Sequence, residues 1–403
     1  MKAAACPTPH SSNSIASIFI SSALVFMFLL FTWSCSEGNP DTEKEEETGE
    51  IEEMEETGYN YPEGKIFFEY PPMDLNGVSF YEPMGSMGVF PQDHGGFIHF
   101  EYGVDEPTTP VYAMADGVIV ELGKSGDDFF MTVKYSTTIS TKLGHVGRFA
   151  DFILNQTNPV IEGSPLITEI EVKSGQIIGY ISSFSALDIG VHDLDLESSK
   201  SFCYPELAFF ENLYAADIFD YYEDSNPVKA EFLNKNIRVL EPYGGKNDYD
   251  VKGTISGNWY IKDKFEGKDI FTNYFAIGYH HIYSQRIAIA DGLPRHDPDT
   301  EDTNSYSNSW IKSNSPKPEE VDIAFGMVKY ELVAPVDLKR NDDGTYELNS
   351  LDGVDDQVPR GVFLMQMVDA ETMQLEFIAD KTVMEVEEFT GNQRVYVRNP
   401  DYE

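Results

Sequence analysis

Pro110-Val-Tyr-Ala-Met-Ala-Asp-Gly-Val-Ile-Val-Glu-Leu122 and Val172-Lys-Ser-Gly-Gln-Ile-Ile-Gly-Tyr-Ile181 are the stretches whose reading decides the fold. Each is a run of β-branched and aromatic residues cut by turn formers, too short and too regularly interrupted for a helix. Around them lie further short runs of the same kind: Phe97 to Tyr102, Phe129 to Tyr135, Lys142 to Val146 and Leu187 to Val191. Several short strands with no long helix between them predict an antiparallel β-domain. Asp116-Gly117 and Gly175 are expected at turns or bulges that need positive φ.

Working outward, 403 residues exceed what one hydrophobic core usually supports, which predicts two folded domains. Residues 1–34 read as an export signal, because the apolar run Ile18 to Phe31 is shorter than the roughly 20 residues of a spanning helix. Thr32-Trp-Ser-Cys35 resembles a bacterial lipoprotein box, which implies lipidation of Cys35. Residues 35–63 are rich in Glu with little to bury, so a disordered acidic tether is expected. Such a stretch after the lipidated cysteine also resembles surface-export signals, which implies placement at the outer membrane or cell surface. The first β-domain is assigned to residues 64–203. A connector over 204–236 follows, where Leu207, Phe210, Tyr214, Ile218 and Tyr221 recur at helical spacing and predict about four turns. Residues 237–403 are again strand-like and are assigned to a second β-rich domain, a barrel or a sandwich. It holds a hairpin of Gly361–Val368 with Met373–Ile378 and an exposed loop over Asp302–Glu320.

The net charge of −41, from 28 basic and 69 acidic residues, excludes a nucleic-acid partner, which needs clustered Lys and Arg. Three cysteines, Cys6, Cys35 and Cys203, are too few and too dispersed for a disulfide framework or a Cys-rich zinc site.

Taken in order, a His-containing start, Pro110 to Val120, Leu143-Gly-His-Val146, Val172 to Gly179 and a closing strand resemble the lysostaphin/LytM-type zinc endopeptidases of peptidoglycan, over about a quarter of the chain. The resemblance implies a duplicated-hybrid-motif-like β-fold. A biotinyl- or lipoyl-like module shares the Gly-Gln-type turn, but it needs an exposed hairpin Lys that this stretch lacks. In the family, zinc is held by the His and Asp of H-x-x-x-D and the second His of H-x-H, leaving one position open for water. His94 matches the first ligand and His145 the assisting His. The residue four after His94 is Ile98, so His99 stands as the substitute ligand, by a one-residue shift. The closing motif aligns with Ala186-Leu-Asp-Ile-Gly-Val191, which replaces the assisting His by Ala186 and the last ligand by Asp188. His192 shares the face of Asp188, but four residues of strand is about 13 Å, too far for both to reach one ion. His280 and His281, adjacent on a strand, are expected to point to opposite faces.

The expected function is therefore that of a lipid-anchored envelope protein with a peptidase-like domain that has lost its catalytic set. It binds peptidoglycan or an envelope partner, or regulates an active hydrolase, and needs no cofactor. One alternative is an active zinc endopeptidase with His94, His99 and Asp188 as ligands and His145 as base. The other is a surface glycan-binding lipoprotein using Trp259, Tyr260 and Trp310 of the second domain.

Overall fold

The computed structural model describes residues 59–87, 92–100, 109–181, 186–238, 240–262, 274–291, 309–334, 339–340, 346–347, 351 and 354–399, all within one compact unit, Glu56–Glu403. The expected export signal, Cys35 and the tether up to residue 58 lie outside the described residues.

The first domain is a ten-stranded antiparallel sheet. Its strands are β1 Val78–Glu82, β2 Gly96–Phe100, β3 Pro110–Tyr112, β4 Gly117–Ser125, β5 Asp128–Lys134, β6 Ile139–Phe149, β7 Leu166–Val172, β8 Ile177–Ile181, β9 Ala186–Asp193 and β10 Ala215–Ala216. They run in the order β1-β2-β9-β6-β5-β4-β7, with β3 on β8, β8 also on β6, and β10 on β9. The quoted stretches thus become β3, β4 and β8. The expected continuous run 111–122 is interrupted at Ala113–Asp116, where Ala113 exchanges backbone hydrogen bonds with Gln176 and Gly175. Gly175 has the expected positive φ of 75°. Gly117 does not, and is needed for close approach: a Cβ there would lie 2.7 Å from the Lys134 carbonyl.

Alternation along the strands separates two faces. Ile98, Leu143, Leu187, Ile189 and Val191 point into the main core with Met131, Val133 and Ile178. Phe97, His99, Ala186, Asp188, Gly190, His192 and Gly144 occupy the other face, because Phe97 and Gly144 flank Asp188 in register and His99 faces Ala186.

The four-turn connector is not formed. Short pieces replace it, namely α2 Phe210–Tyr214 (after α1, Asp151–Leu154), β10 and α3 Pro227–Leu233. The periodicity of apolar residues was real, but Ala215 and Ala216 give their backbone groups to β9, and the Asp217 carboxylate accepts from the N–H groups of Phe219 and Gly244. Local capping and sheet pairing outcompete helix propagation here.

The second domain is a closed barrel of eight strands, which decides between barrel and sandwich: β11 Gly257–Ile261, β12 Tyr274–Tyr279, β13 Ile287–Asp291, β14 Ser309–Ile311, β15 Met327–Val333, β18 Gly361–Met367, β19 Thr372–Ala379 and β20 Arg394–Val397. A separate pair joins β16 Lys339–Arg340 to β17 Tyr346–Glu347. The expected hairpin is β18–β19. Inside, Trp259, Phe275, Ile277, Ile289, Phe363 and Tyr396 fill the barrel with side chains. Outside, Tyr274, Ala276, Ala288, Ala290 and Trp310 pack against Phe80, Met87, Ile237 and Tyr249. Both faces of β12 and β13 are buried, which is why those segments read as continuous apolar runs.

Two expectations about this domain are corrected. Ser309–Ile311 is a barrel strand, wholly buried, and not part of an exposed loop. Trp259 and Trp310 are both 0% exposed, so neither offers a stacking platform. Trp259 is held by its Nε1–H to the Ile255 carbonyl at 2.9 Å, and the Arg398 guanidinium lies 4.1 Å from its ring centroid.

Candidate functional site

The second face of the sheet domain carries the chemistry. Asp188, on β9, sits in a cradle of glycines: a Cβ at Gly95 would lie 2.6 Å from its Oδ1, and one at Gly144 3.1 Å from its Oδ2. Two residues on, Gly190 leaves room for two imidazoles. A Cβ there would lie 3.2 Å from His192 Nε2 and 3.5 Å from His94 Nδ1. The two rings are 6.0 Å apart, so His94 reaches the His192 end of β9 by crossing above Gly190. His192 is 2% exposed and packs beside Phe210 of α2.

His145 reaches this face through a bulge. Phe129 pairs with Val146 and Met131 with Leu143, so Gly144 and His145 together oppose Phe130. His145 takes a φ of 59°, in the left-handed region that His adopts rarely. In regular alternation it would share the core side of Leu143; the bulge re-aims it so that Nδ1 meets Asp128 Oδ2 at 2.9 Å. The Gly-His dipeptide is the sequence signal for this turn, but its partner Asp128 could not be read from the sequence.

Electrostatics follow from burial among acids. Burial raises the Asp188 carboxyl, and His94, His145 and Lys142 oppose it. Burial likewise pushes Asp93 up to about 6, against the pull of His94 and the Gly95 N–H. For His145 burial works against the charge, but Asp128, Asp188 and Asp93 prevail and raise it. His192 is brought down to about 3 by burial and then by His94, so it is neutral at pH 7. Burial raises Glu211, yet the Lys142 ammonium at 2.9 Å overrides it and holds the carboxyl at about 2.

His99 is engaged elsewhere. Its Nε2 meets Glu82 Oε2 at 3.0 Å and its ring stacks on Phe80 at 4.2 Å. The other Glu82 oxygen is 2.7 Å from His281 Nε2, on the barrel domain. Glu82 therefore ties the sheet domain to the barrel, and burial of its carboxyl is outweighed by these two histidines, which hold it well below the ordinary range. Contrary to the expectation of opposite faces, His280 and His281 follow the end of β12 and their rings stack 4.5 Å apart. His280 Nδ1 accepts from the N–H groups of Ile282 and Tyr283, so the two do not converge on one point.

The expected zinc ligands His94, His99 and Asp188 are thus distributed between two arrangements. Among the described residues no group of three or more His, Cys, Asp or Glu is placed to hold a metal ion. With Ile98 and Ala186 at the positions that the resemblance would give to a ligand and to the assisting His, the described residues do not assemble the zinc site it implies. What the face offers is a hydrogen-bonding floor, the half-buried Asp188 and the oriented His145–Asp128 pair, edged by the rings of Phe97 and Phe210.

No family model matches this chain, and no curated protein does. Among solved structures, Helicobacter pylori Csd3 is 19% identical over 42% of this chain and 40% of its own, with a TM-score of 0.25. A zinc-containing peptidase from Vibrio cholerae is 18% identical over 32% of this chain and 36% of its own, with a TM-score of 0.22. The SpoIIQ–SpoIIIAH pore-forming complex contributes a chain that is 15% identical over 41% of this one and 96% of its own, at a TM-score of 0.25. The match spans less than half the length of the first two. Likeness at this level leaves the site to be read from its own residues.

Proposed function

We propose that this chain is a cell-envelope protein whose sheet domain is a lysostaphin/LytM-type peptidase domain converted from hydrolysis to binding. Its ligand is a peptide, from peptidoglycan or from an envelope partner, laid across β2, β9 and β6. The observation that carries this reading is the split of the candidate ligand set: Asp188 and His94 remain over the glycine floor while His99 is bonded to Glu82. A binding floor outlasts the loss of one ligand, but water activation by zinc does not, because it needs the ligands and an open position together. Lipidation at Cys35 would hold the domain at the outer membrane or cell surface through the acidic tether.

The test is elemental analysis of the chain purified without a metal-binding tag, beside binding of muropeptides and digestion of peptidoglycan. Muropeptide or partner binding without stoichiometric zinc supports the reading. One zinc per chain that disappears in His94→Ala, together with digestion, overturns it and restores an active endopeptidase. Retention of acyl label by the wild type and its loss in Cys35→Ala tests the anchor separately.

A further inference from the structure

β7 ends the strand path of the sheet domain and, among the described residues, pairs with β4 alone. β5 and β4 separate it from β6, so it lies away from the face of β2, β9 and β6. Its outer edge makes no hydrogen bond among the described residues. Such an edge is a row of N–H and C=O groups ready to pair with another chain.

Exposure alternates along this strand. Ile170 and Val172 point into the core, while Ile167, Glu169 and Glu171 are exposed. Glu169 and Glu171 line an open recess of about 300 Å³ with Tyr59, Asn60 and Val118. Neither carboxylate is hydrogen-bonded or ion-paired among the described residues. The neighbouring cations are committed elsewhere: Lys173 Nζ lies 2.9 Å from Asp116 Oδ2, and Lys134 lies over the Tyr61 ring. Both carboxylates face solvent, so an incoming group meets them without opening the fold.

The pairing against β4 shifts so that Thr168 and Glu169 both face Val120. This bulge interrupts the ladder and leaves residues 169–172 as the regular part of the open edge. Residues two apart on a strand are about 7 Å apart, and residues opposite one another on paired strands share a face. A strand laid along this edge therefore meets Glu169 and Glu171 with two of its own alternate residues, and the residue between them turns to the side of Ile170. A second copy of this chain is disfavoured there. Two such edges paired antiparallel about Glu169 would set that carboxylate against its own copy, on chains that each carry a net charge of −41.

We propose that the β7 edge is a docking strand for a basic partner. An extended segment with Lys or Arg at alternate positions adds to the sheet outside β7, sets two cations against Glu169 and Glu171, and makes backbone hydrogen bonds along residues 169–172. Charge complementarity selects this occupant, because the two carboxylates have no cation of their own. The edge is distinct from the peptide face and does not rest on that reading.

The test is fluorescence anisotropy on the full chain with a labelled heptapeptide of alternating lysine and valine. A block peptide of the same composition, lysines first, controls for general attraction to so acidic a chain. Saturable binding of the alternating peptide is expected, with the block peptide weaker by about tenfold or more. Of two alternating peptides N-methylated at odd or at even residues, one should lose binding and the other keep it, because only every second N–H of a strand faces its neighbour. Glu169→Gln combined with Glu171→Gln should weaken binding by about tenfold, the measure of two exposed ion pairs. Both side chains lie outside the core, so this variant keeps the fold. No binding, equal binding of the block peptide, N-methylated peptides that behave alike, or an unchanged double variant overturns the proposal. A dimer of the chain that the peptide dissociates assigns the edge to a second copy and also overturns it.

Discussion

Glu82→Gln is the most informative single change, because the Glu82 carboxylate touches histidines of both domains. It accepts from or pairs with His99 at 3.0 Å and His281 at 2.7 Å, and its side chain is 21% exposed. Hydrogen bonds to a charged group contribute roughly 1.5–3 kcal/mol each, and partial exposure lowers the sum, so a loss of about 3 kcal/mol is expected at pH 7. For the compact unit Glu56–Glu403 that corresponds to a fall in Tm of about 4 °C. The carboxyl is held below its ordinary value, so its contribution is fully present above the unfolded pKa, near 4.5, and is lost as pH falls through the folded value. The gap between wild type and Glu82→Gln should therefore be flat from neutral pH to about 5 and then narrow by about 1.4 kcal/mol per pH unit. Urea unfolding of both proteins across that range measures it. Equal stability at pH 7, or a gap that persists undiminished at pH 3, would refute the argument that Glu82 ties the domains together as an anion.

In Asp128→Asn, the His145 imidazole loses its strongest supporting partner, so its titration midpoint, raised in the wild type, should move down in histidine-resolved NMR. A midpoint unmoved by the substitution would mean that Asp128 does not orient this ring. Gly190→Ala places a methyl 3.2 Å from His192 Nε2 and 3.5 Å from His94 Nδ1; about 1–3 kcal/mol of overpacking cost and weaker muropeptide binding are expected. Calorimetry that finds binding unchanged would separate Gly190 from the ligand face. Trp259→Ala should cost about 3–5 kcal/mol, since it empties a wholly buried site and removes the ring beneath Arg398. Wild-type stability in chemical denaturation would contradict the assignment of Trp259 to the barrel core.

Much of the sheet was legible because its signals are local. Ile177–Ile181 reads as a strand from its own residues and is one, and the β18–β19 hairpin follows from two apolar runs and the short turn between them. The connector misled because helical spacing of Leu207, Phe210, Tyr214, Ile218 and Tyr221 is also produced by short turns packed on one core, and only the pairing of Ala215–Ala216 with β9 distinguishes the two. Trp310 was misplaced for a similar reason: polar neighbours dominate the local pattern, while a three-residue barrel strand is recognisable only from its partners β13 and β15.

By itself, then, the sequence determined which segments have strand composition, that the chain carries a net charge of −41, and which histidines and carboxylates were candidates for chemistry. Tertiary structure alone decided how those candidates associate. His94 meets His192, not His99, because the chain crosses over Gly190, and His145 meets Asp128 because a bulge turns it out of the core. His99 is bonded to Glu82, which joins it to His281 across nearly two hundred residues of chain. Strand alternation is written in neighbouring residues, whereas register, bulges and domain docking are set by the partners a segment packs against.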